Sequence, residues 1–442
     1  MFNFRPVAAL LALVTLPAMA APADDVAALR AELQAMKSDY QSRVDQLEAR
    51  IQQLESASPP EAAPPLPAPP AGAAAFNPAI SLILGGSYTS TSRNPGDWAI
   101  GGFPSTGGEV GPGERSFNLG ESELTVSANI DPYFSGQLTA AITGEDEIEV
   151  EEAFVRTSAL PDGFTAKLGR FFSGFGYLNE VHAHAWDFVD QPLVYQAMFG
   201  GQFKQNGVQV KWLAPTDLFL EFGAETGNGD GYPSTRRARN GLNGATLFAH
   251  VGGDIGDDTS WRAGAAWLDQ RSEDREDDTF LDSFTGTSRT WVADAVFKWA
   301  PSPRRQLKVQ GEYLRRTEDG TFLFDPAELA ALANYRNTQS GWYLQSVYQF
   351  APRWRVGARY DSLDSGRALF TPAAIDPPID FGPPFPALHP DRLSVMLDWN
   401  PSEFSRLRAQ YDYDDARAEG DTDRVFRLQY IYGIGAHGAH KY

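Results

Sequence analysis

From Phe76 to its end the chain repeats one pattern: short segments in which apolar and polar residues alternate, separated by turn residues. A period of two sends successive side chains to opposite faces of a strand. Trp291, Ala293, Ala295, Phe297 and Trp299 form one face, against Asp294 and Lys298 on the other. Trp354, Val356, Ala358 and Tyr360 oppose Arg355, Arg359 and Asp361, and Leu407, Ala409, Tyr411 and Tyr413 oppose Arg408, Gln410, Asp412 and Asp414. A soluble half-buried sheet alternates in the same way, but a soluble barrel fills its inside with apolar groups. Here the second face is charged. A barrel with lipid outside and water inside suits both faces, because a charge facing lipid at mid-depth costs about 2–4 kcal/mol.

The connections support this. Segments of this kind begin near Ala79, Phe117, Tyr133, Glu147, Phe164, Gly207, Leu218, Ala245, Trp261, Thr290, Gln306, Gly341, Trp354, Arg392, Arg406 and Arg424, which makes about sixteen. Between them, short turns such as Asp131-Pro132, Leu160-Pro161-Asp162-Gly163, Pro301-Ser302-Pro303 and Ala351-Pro352-Arg353 alternate with long polar stretches. The long ones are 91–116, 173–202, 226–243, 272–288, 317–339 and 366–390. Short turns at one rim and long loops at the other is the layout of a membrane barrel. Trp212, Trp299, Phe350 and Trp399 precede short turns, where an aromatic girdle belongs. The segment Glu147–Ser158 sorts poorly at Glu151 and Glu152, which predicts a bulge. The expected fold is therefore all-β, a transmembrane antiparallel barrel of about sixteen strands over 76–442.

Three segments precede it. Residues 1–20 carry Arg5, a short apolar core and Ala18-Met19-Ala20, the pattern of a cleaved secretory signal. Residues 24–55 place Val26, Leu29, Leu33, Met36 and Tyr40, then Val44, Leu47, Ile51 and Leu54, on a heptad seam with one stutter. That predicts a periplasmic coiled coil and, through it, a homo-oligomer; a lone amphipathic helix is the plainer alternative. Residues 56–75 are rich in Pro and Ala and form a semi-rigid spacer. The chain has no cysteine, which excludes disulfides and thiolate metal sites. Its net charge of −20 offers no electrostatic footprint for nucleic acid.

The stretch 173–201 lacks strand periodicity yet is neither Pro-rich nor wholly polar. Trp186, Phe188, Val189, Leu193 and Val194 are too apolar for a loop in solvent. Gly174, Gly176, Gly200 and Gly201 at its ends give the backbone freedom to turn. It is expected to fold into the lumen as a constriction loop, with Trp186, Phe188 and Tyr195 at the narrowing. His182, His184, Asp187 and Asp190 within it form a candidate divalent-metal (zinc) contact, since two imidazoles and a carboxylate make a three-ligand set. The alternative is that these groups hydrogen-bond the loop to the wall. His437 and His440 form a second, weaker pair. The expected pore-lining charges are Lys211, Glu221, Arg262, Asp294, Lys298, Arg355, Arg359, Asp361, Arg408 and Asp412, either setting up a transverse field or pairing with one another. The chain contains no GxSxG, P-loop, HExxH or CxxC pattern, so no enzyme is expected.

The runs Glu152-Ala-Phe-Val155 and Lys167-Leu-Gly-Arg-Phe171, the long loop after the fifth strand and the terminal Tyr442 resemble the bacterial outer-membrane porins. Asn179 to Phe188 and the tail Gly435 to His440 further resemble the family labelled zinc-regulated TonB-dependent outer-membrane receptors. The chain is short for the 22-stranded barrel and plug of a true TonB-dependent receptor. These resemblances imply an outer-membrane location in contact with lipid, a channel passing small hydrophilic solutes, a link to zinc uptake, and a trimer. The other function considered is a binding or structural protein that tethers the membrane to the cell wall through the coil.

Overall fold

The computed structural model describes residues 34, 78–106, 110–142, 148–229, 231–235, 240–276, 282–324, 331–371 and 385–435. Apart from Gln34, the expected signal, coil and spacer lie outside the described residues, as do His437, His440 and Tyr442.

Among the described residues, eighteen strands form one antiparallel sheet. They are β1 (Ala79–Thr91), β2 (Ser116–Leu119), β3 (Ser122–Asn129), β4 (Phe134–Ile142), β5 (Ile148–Thr157), β6 (Phe164–Phe172), β7 (Lys204–Leu213), β8 (Phe219–Gly227) and β9 (Gly244–Ile255). There follow β10 (Thr259–Glu276), β11 (Ser283–Ser302), β12 (Arg305–Phe324), β13 (Ala331–Ala351), β14 (Trp354–Asp364), β15 (Leu369–Thr371), β16 (Asp391–Ser402), β17 (Ser405–Asp414) and β18 (Asp423–Gly435). The alternating segment 117–130, expected as one strand, is two, β2 and β3, both paired with β1 and broken at Gly120 and Glu121. β15 only flanks the upper part of β13. The wall is therefore a closed ring of sixteen crossings, sealed where β18 pairs with β1.

Alternation decides what faces out. Trp291, Leu344 and Leu393 are 61%, 52% and 47% exposed, while Asp294, Gln345 and Arg392 on the other face are buried. At the short-turn rim, register places Phe164 beside Trp212, Trp212 beside Phe222, and Trp354 beside Trp399. These rings stack at 6.2, 5.9 and 6.0 Å. Toward the other rim, Trp267, Trp291, Tyr313, Trp342 and Tyr360 occupy neighbouring strands at similar height, and Trp342 meets Tyr360 at 5.6 Å. From Trp291 to Trp299, at ~3.3 Å per residue and a tilt of ~40°, the wall rises ~20 Å, close to the apolar band of an outer-membrane-type barrel.

Beyond the upper aromatic residues the wall continues. The stretches 272–288 and 317–339, expected as loops, are largely the upper parts of β10 to β13, which run 18–21 residues. Their outer face turns polar there: Arg289 pairs with Asp269 at 3.1 Å, and Arg336 pairs with Asp319. A polar alternating stretch beyond the apolar belt completes its ladder on its neighbours, so lack of apolar residues does not end a strand.

The expected bulge lies in β5. Thr139 faces Glu152 while Ala140 faces Val150, which leaves Glu151 as the extra residue. One extra residue shifts the alternation, and both Glu151 and Glu152 end up buried on the inner side.

Candidate functional site: the inward loop

The chain leaves β6 at Phe172, enters the lumen and returns to β7 at Lys204. Asn179 closes the base of this loop. Its amide donates to the Ser173 and Phe203 carbonyls at 2.8 and 2.9 Å, and its Oδ1 accepts from the Phe203 N–H at 2.8 Å. Glu225 on β8 accepts from the Ser173 hydroxyl and the Gly174 N–H. Gly176 takes φ 69°, with the Glu312 carboxylate and Tyr195 hydroxyl where a Cβ would sit, so a side chain there is both strained and blocked. The short helix α1 (Leu193–Phe199) follows and ends on Gly200 in the left-handed conformation, φ 65°.

Two kinds of contact dock the loop. Phe175, Leu193, Val194, Tyr195, Met198, Phe199 and Phe203 pack on Phe248, Leu268, Val292, Leu314, Tyr343 and Leu363 of β9 to β14. Charged groups complete it. Asp187 accepts from Lys308 at 2.8 Å and Arg355 at 3.0 Å. Asp190 pairs with Arg359 at 2.9 Å, Arg392 at 2.8 Å and Arg427 at 3.4 Å. Loop carbonyls take the remaining donors: Arg262 to Gly176, Arg316 to Met198, Arg392 to Gln191, Arg408 to Trp186, and Arg406 to His184 and Trp186. Glu312 accepts from the Leu178 N–H and the Tyr195 hydroxyl, and Asp361 from the Leu193 N–H. The loop thus touches strands right round the ring rather than one wall.

Burial alone would raise the pKa of Asp187 and Asp190. Lys308 and Arg355 around the first, and Arg392, Arg427 and Arg359 around the second, outweigh it and hold both below the usual carboxylate range. His182 is the converse. Burial disfavours its charged ring, but hydrogen bonds to Glu123, Glu151 and Glu152 raise its pKa well above the ordinary value.

The expected site residues divide accordingly. Phe188 and Tyr195 lie in the lumen but are fully buried against the wall, while Trp186 is half-buried and donates its Nε1–H to the Val181 carbonyl at 2.6 Å. The ten expected pore-lining charges differ in exposure. Lys211, Glu221, Arg262 and Arg355 remain 18–21% exposed, and Lys298 is half-buried. Asp294 is buried, 3.8 Å from Arg262. Arg359, Asp361, Arg408 and Asp412 do not line water: they are at most 1% exposed, because the docked loop covers them. At that height wall charges pair with one another, which was one of the two expected arrangements.

The expected four-residue metal set also comes apart. Asp187 and Asp190 point to the basic wall of β12 to β18, while His182 and His184 face Glu123 of β3 and Glu151 and Glu152 of β5. Arginines opposite the acids and carboxylates opposite the histidines sort the four by charge. The three glutamates were missed. The out-of-phase pair Glu151-Glu152 was the available signal, since a bulge there turns both inward.

No family model matches the chain. It is 32% identical over 392 residues to an uncharacterized protein of Aquifex aeolicus, covering 83% of this chain and 80% of that one. A loop-deletion mutant of OmpT, an outer membrane protein of Vibrio cholerae, superposes with a TM-score of 0.50 at 10% identity, covering 81% of this chain and 99% of the other. OprB of Pseudomonas putida does so with a TM-score of 0.50 at 13% identity, covering 81% and 94%. At those identities the likeness is one of fold: a closed sixteen-stranded barrel of the outer-membrane type.

Proposed function

The chain belongs to one family with the Aquifex aeolicus protein, and from the barrel that it folds into we propose that it is an outer-membrane, porin-like channel for passive diffusion of small hydrophilic solutes. The observation that carries the reading is the pairing of an apolar outer belt, bounded by two levels of aromatic rings, with a charged lumen into which a long-rim loop folds. The loop 173–203 is the constriction. Lys211, Glu180, Glu221, Arg262, Lys308 and Arg355, all partly exposed beside it, mark a narrow hydrated route. Such a route passes ions and small solutes and excludes bulky ones.

The channel is an oligomer in this reading, trimeric and joined through the coil of 24–55 in the periplasm. Phe117 and Ile148, on the low side of the wall away from β10 to β13, are 84% and 76% exposed, more than the lipid belt. Such groups suit contact with another copy. The purified full chain in planar bilayers should give stepwise conductance, retained when residues 24–75 are deleted. A heat-modifiable, folded barrel that stays electrically silent would overturn the channel and favour the tether.

A further inference from the structure

We propose that His182, Glu123 and Glu151 hold a divalent transition-metal ion, and that this ion clamps the inward loop to wall strands β3 and β5. The inference deepens the channel reading, since it rests on this loop being the constriction, but it concerns a different set of residues from the basic anchors of Asp187 and Asp190.

The donors are assembled from three separate parts of the chain. His182 Nδ1 lies 3.1 Å from Glu151 Oε2 and 3.2 Å from Glu123 Oε2, and one ligand atom from each residue falls within 4.8 Å of the others. An ion bound at ~2.1 Å in tetrahedral geometry needs its ligand atoms ~3.4 Å apart, so small side-chain adjustments suffice. The outer groups fit too. Glu152 Oε2 stands 3.2 Å from His182 Nε2, where it would orient a ligating imidazole. His184 Nδ1 stands 2.6 Å from Glu123 Oε1, the second oxygen of a ligating carboxylate.

Charge supplies the reason for an ion. Glu123, Glu151 and Glu152 are all buried at one place, and a buried carboxylate needs a cation beside it. Lys167 supplies positive charge here, acting on Glu152 while its ammonium lies over the Phe154 and Phe171 rings at 4.5 and 5.4 Å, so one lysine stands against three carboxylates. Both ring nitrogens of His182 face carboxylate oxygens, which suits an imidazolium or a ring with a metal on one nitrogen and a proton on the other. Mixed imidazole and carboxylate donors select zinc and its first-row neighbours over calcium or magnesium. The bulge at Glu151 is what brings this ligand to the inner face beside Glu152.

The test titrates the refolded full chain in detergent at about pH 7.5 with zinc by calorimetry and with cobalt(II) by its visible absorption. We expect one ion per chain, a cobalt spectrum of a low-coordinate site, and an affinity loss of at least about tenfold in His182→Ala and in Glu151→Gln. Should His182→Ala fail to refold, Glu151→Gln, close in shape, carries the comparison. No binding by a folded barrel, or binding unchanged in these variants, overturns the clamp and leaves an imidazolium held by carboxylates. Bilayer conductance is scored separately: a barrel that binds zinc but passes no current refutes the channel and keeps the clamp, while a conducting barrel without zinc binding does the reverse.

Discussion

Replacing Asp190 by Asn removes the charge on which three guanidinium groups converge while keeping the size of the side chain. Arg359, Arg392 and Arg427 approach its carboxylate at 2.9, 2.8 and 3.4 Å. With charge centres ~4 Å apart and an effective dielectric of ~20, each attraction is ~4 kcal/mol before desolvation is set against it. Removing one partner of a buried ion pair has a net cost of about 3–5 kcal/mol. The arginines retain Asp361 and Asp412, so the lower end of that range applies to the barrel wall. At this end the loop keeps the Asp190 and Gln191 carbonyls on Arg359 and Arg392 and the Val189 and Leu193 N–H groups on Gln410 and Asp361, but no second carboxylate of its own meets these arginines. A loss of ~3 kcal/mol shifts the docked-to-undocked ratio by roughly two powers of ten. Sixteen paired strands do not depend on it, so the variant should refold and remain heat-modifiable. In single-channel recordings it should flicker to a larger conductance that the parent chain rarely visits. Asp269→Asn, which breaks an exposed pair with Arg289 worth at most ~1 kcal/mol, serves as the control and should leave the current unchanged. Identical conductance and noise in Asp190→Asn and the parent would refute the idea that this pairing holds the constriction.

Two further outcomes follow from the same contacts. Asp187 and Asp190 titrate below the usual range, and a depressed carboxyl stabilises above its unfolded value of ~3.9 and loses that as pH falls through its folded one; current noise should therefore stay flat from neutral pH to about 4 and rise below it, and a rise already near pH 5.5 would contradict the assignment. Val395→Arg puts a charge on the lipid face and should cost about 2–4 kcal/mol in urea unfolding from vesicles, whereas a loss under ~0.5 kcal/mol would mean that this face does not meet hydrocarbon.

Most of the wall was legible because one rule, apolar outside and polar inside, acts on every second residue. The segment Phe164–Phe172 coincides with β6, and the charged and aromatic faces of β11, β14 and β17 emerged as alternation places them. The rule fails where its cause is absent. Beyond the apolar belt the outer residues turn polar, so the tops of β10 to β13 looked like loops although cross-strand hydrogen bonds continue there. It also fails at Glu151, where an inserted residue shifts the phase. Partners across the lumen follow no sequence rule at all. His182 meets Glu123 and Glu151, and Asp190 meets Arg427, only because a ring of strands brings positions far apart in the chain to one height.

One mark of the docked loop was nonetheless present in the wall. A lumen that held only water would be polar at every inward position. On β9 to β14 the inward register instead contains Phe248, Leu268, Val292, Leu314 and Leu363. Each would expose apolar surface to water at about 25 cal/mol per Å² if nothing covered it. Leu193, Val194, Met198 and Phe199 cover them, and the apolar character of the loop and that of these five wall positions explain each other. The arginines of β14 to β18 stand beside this footprint, where the loop supplies Asp190 and backbone carbonyls in place of side chains that could pack. Wall and loop therefore match in kind, apolar to apolar and basic to acidic. A loop that swung freely in an aqueous pore would have no reason to match the wall in this way, and its removal would leave both an apolar strip and an unbalanced cationic one facing water.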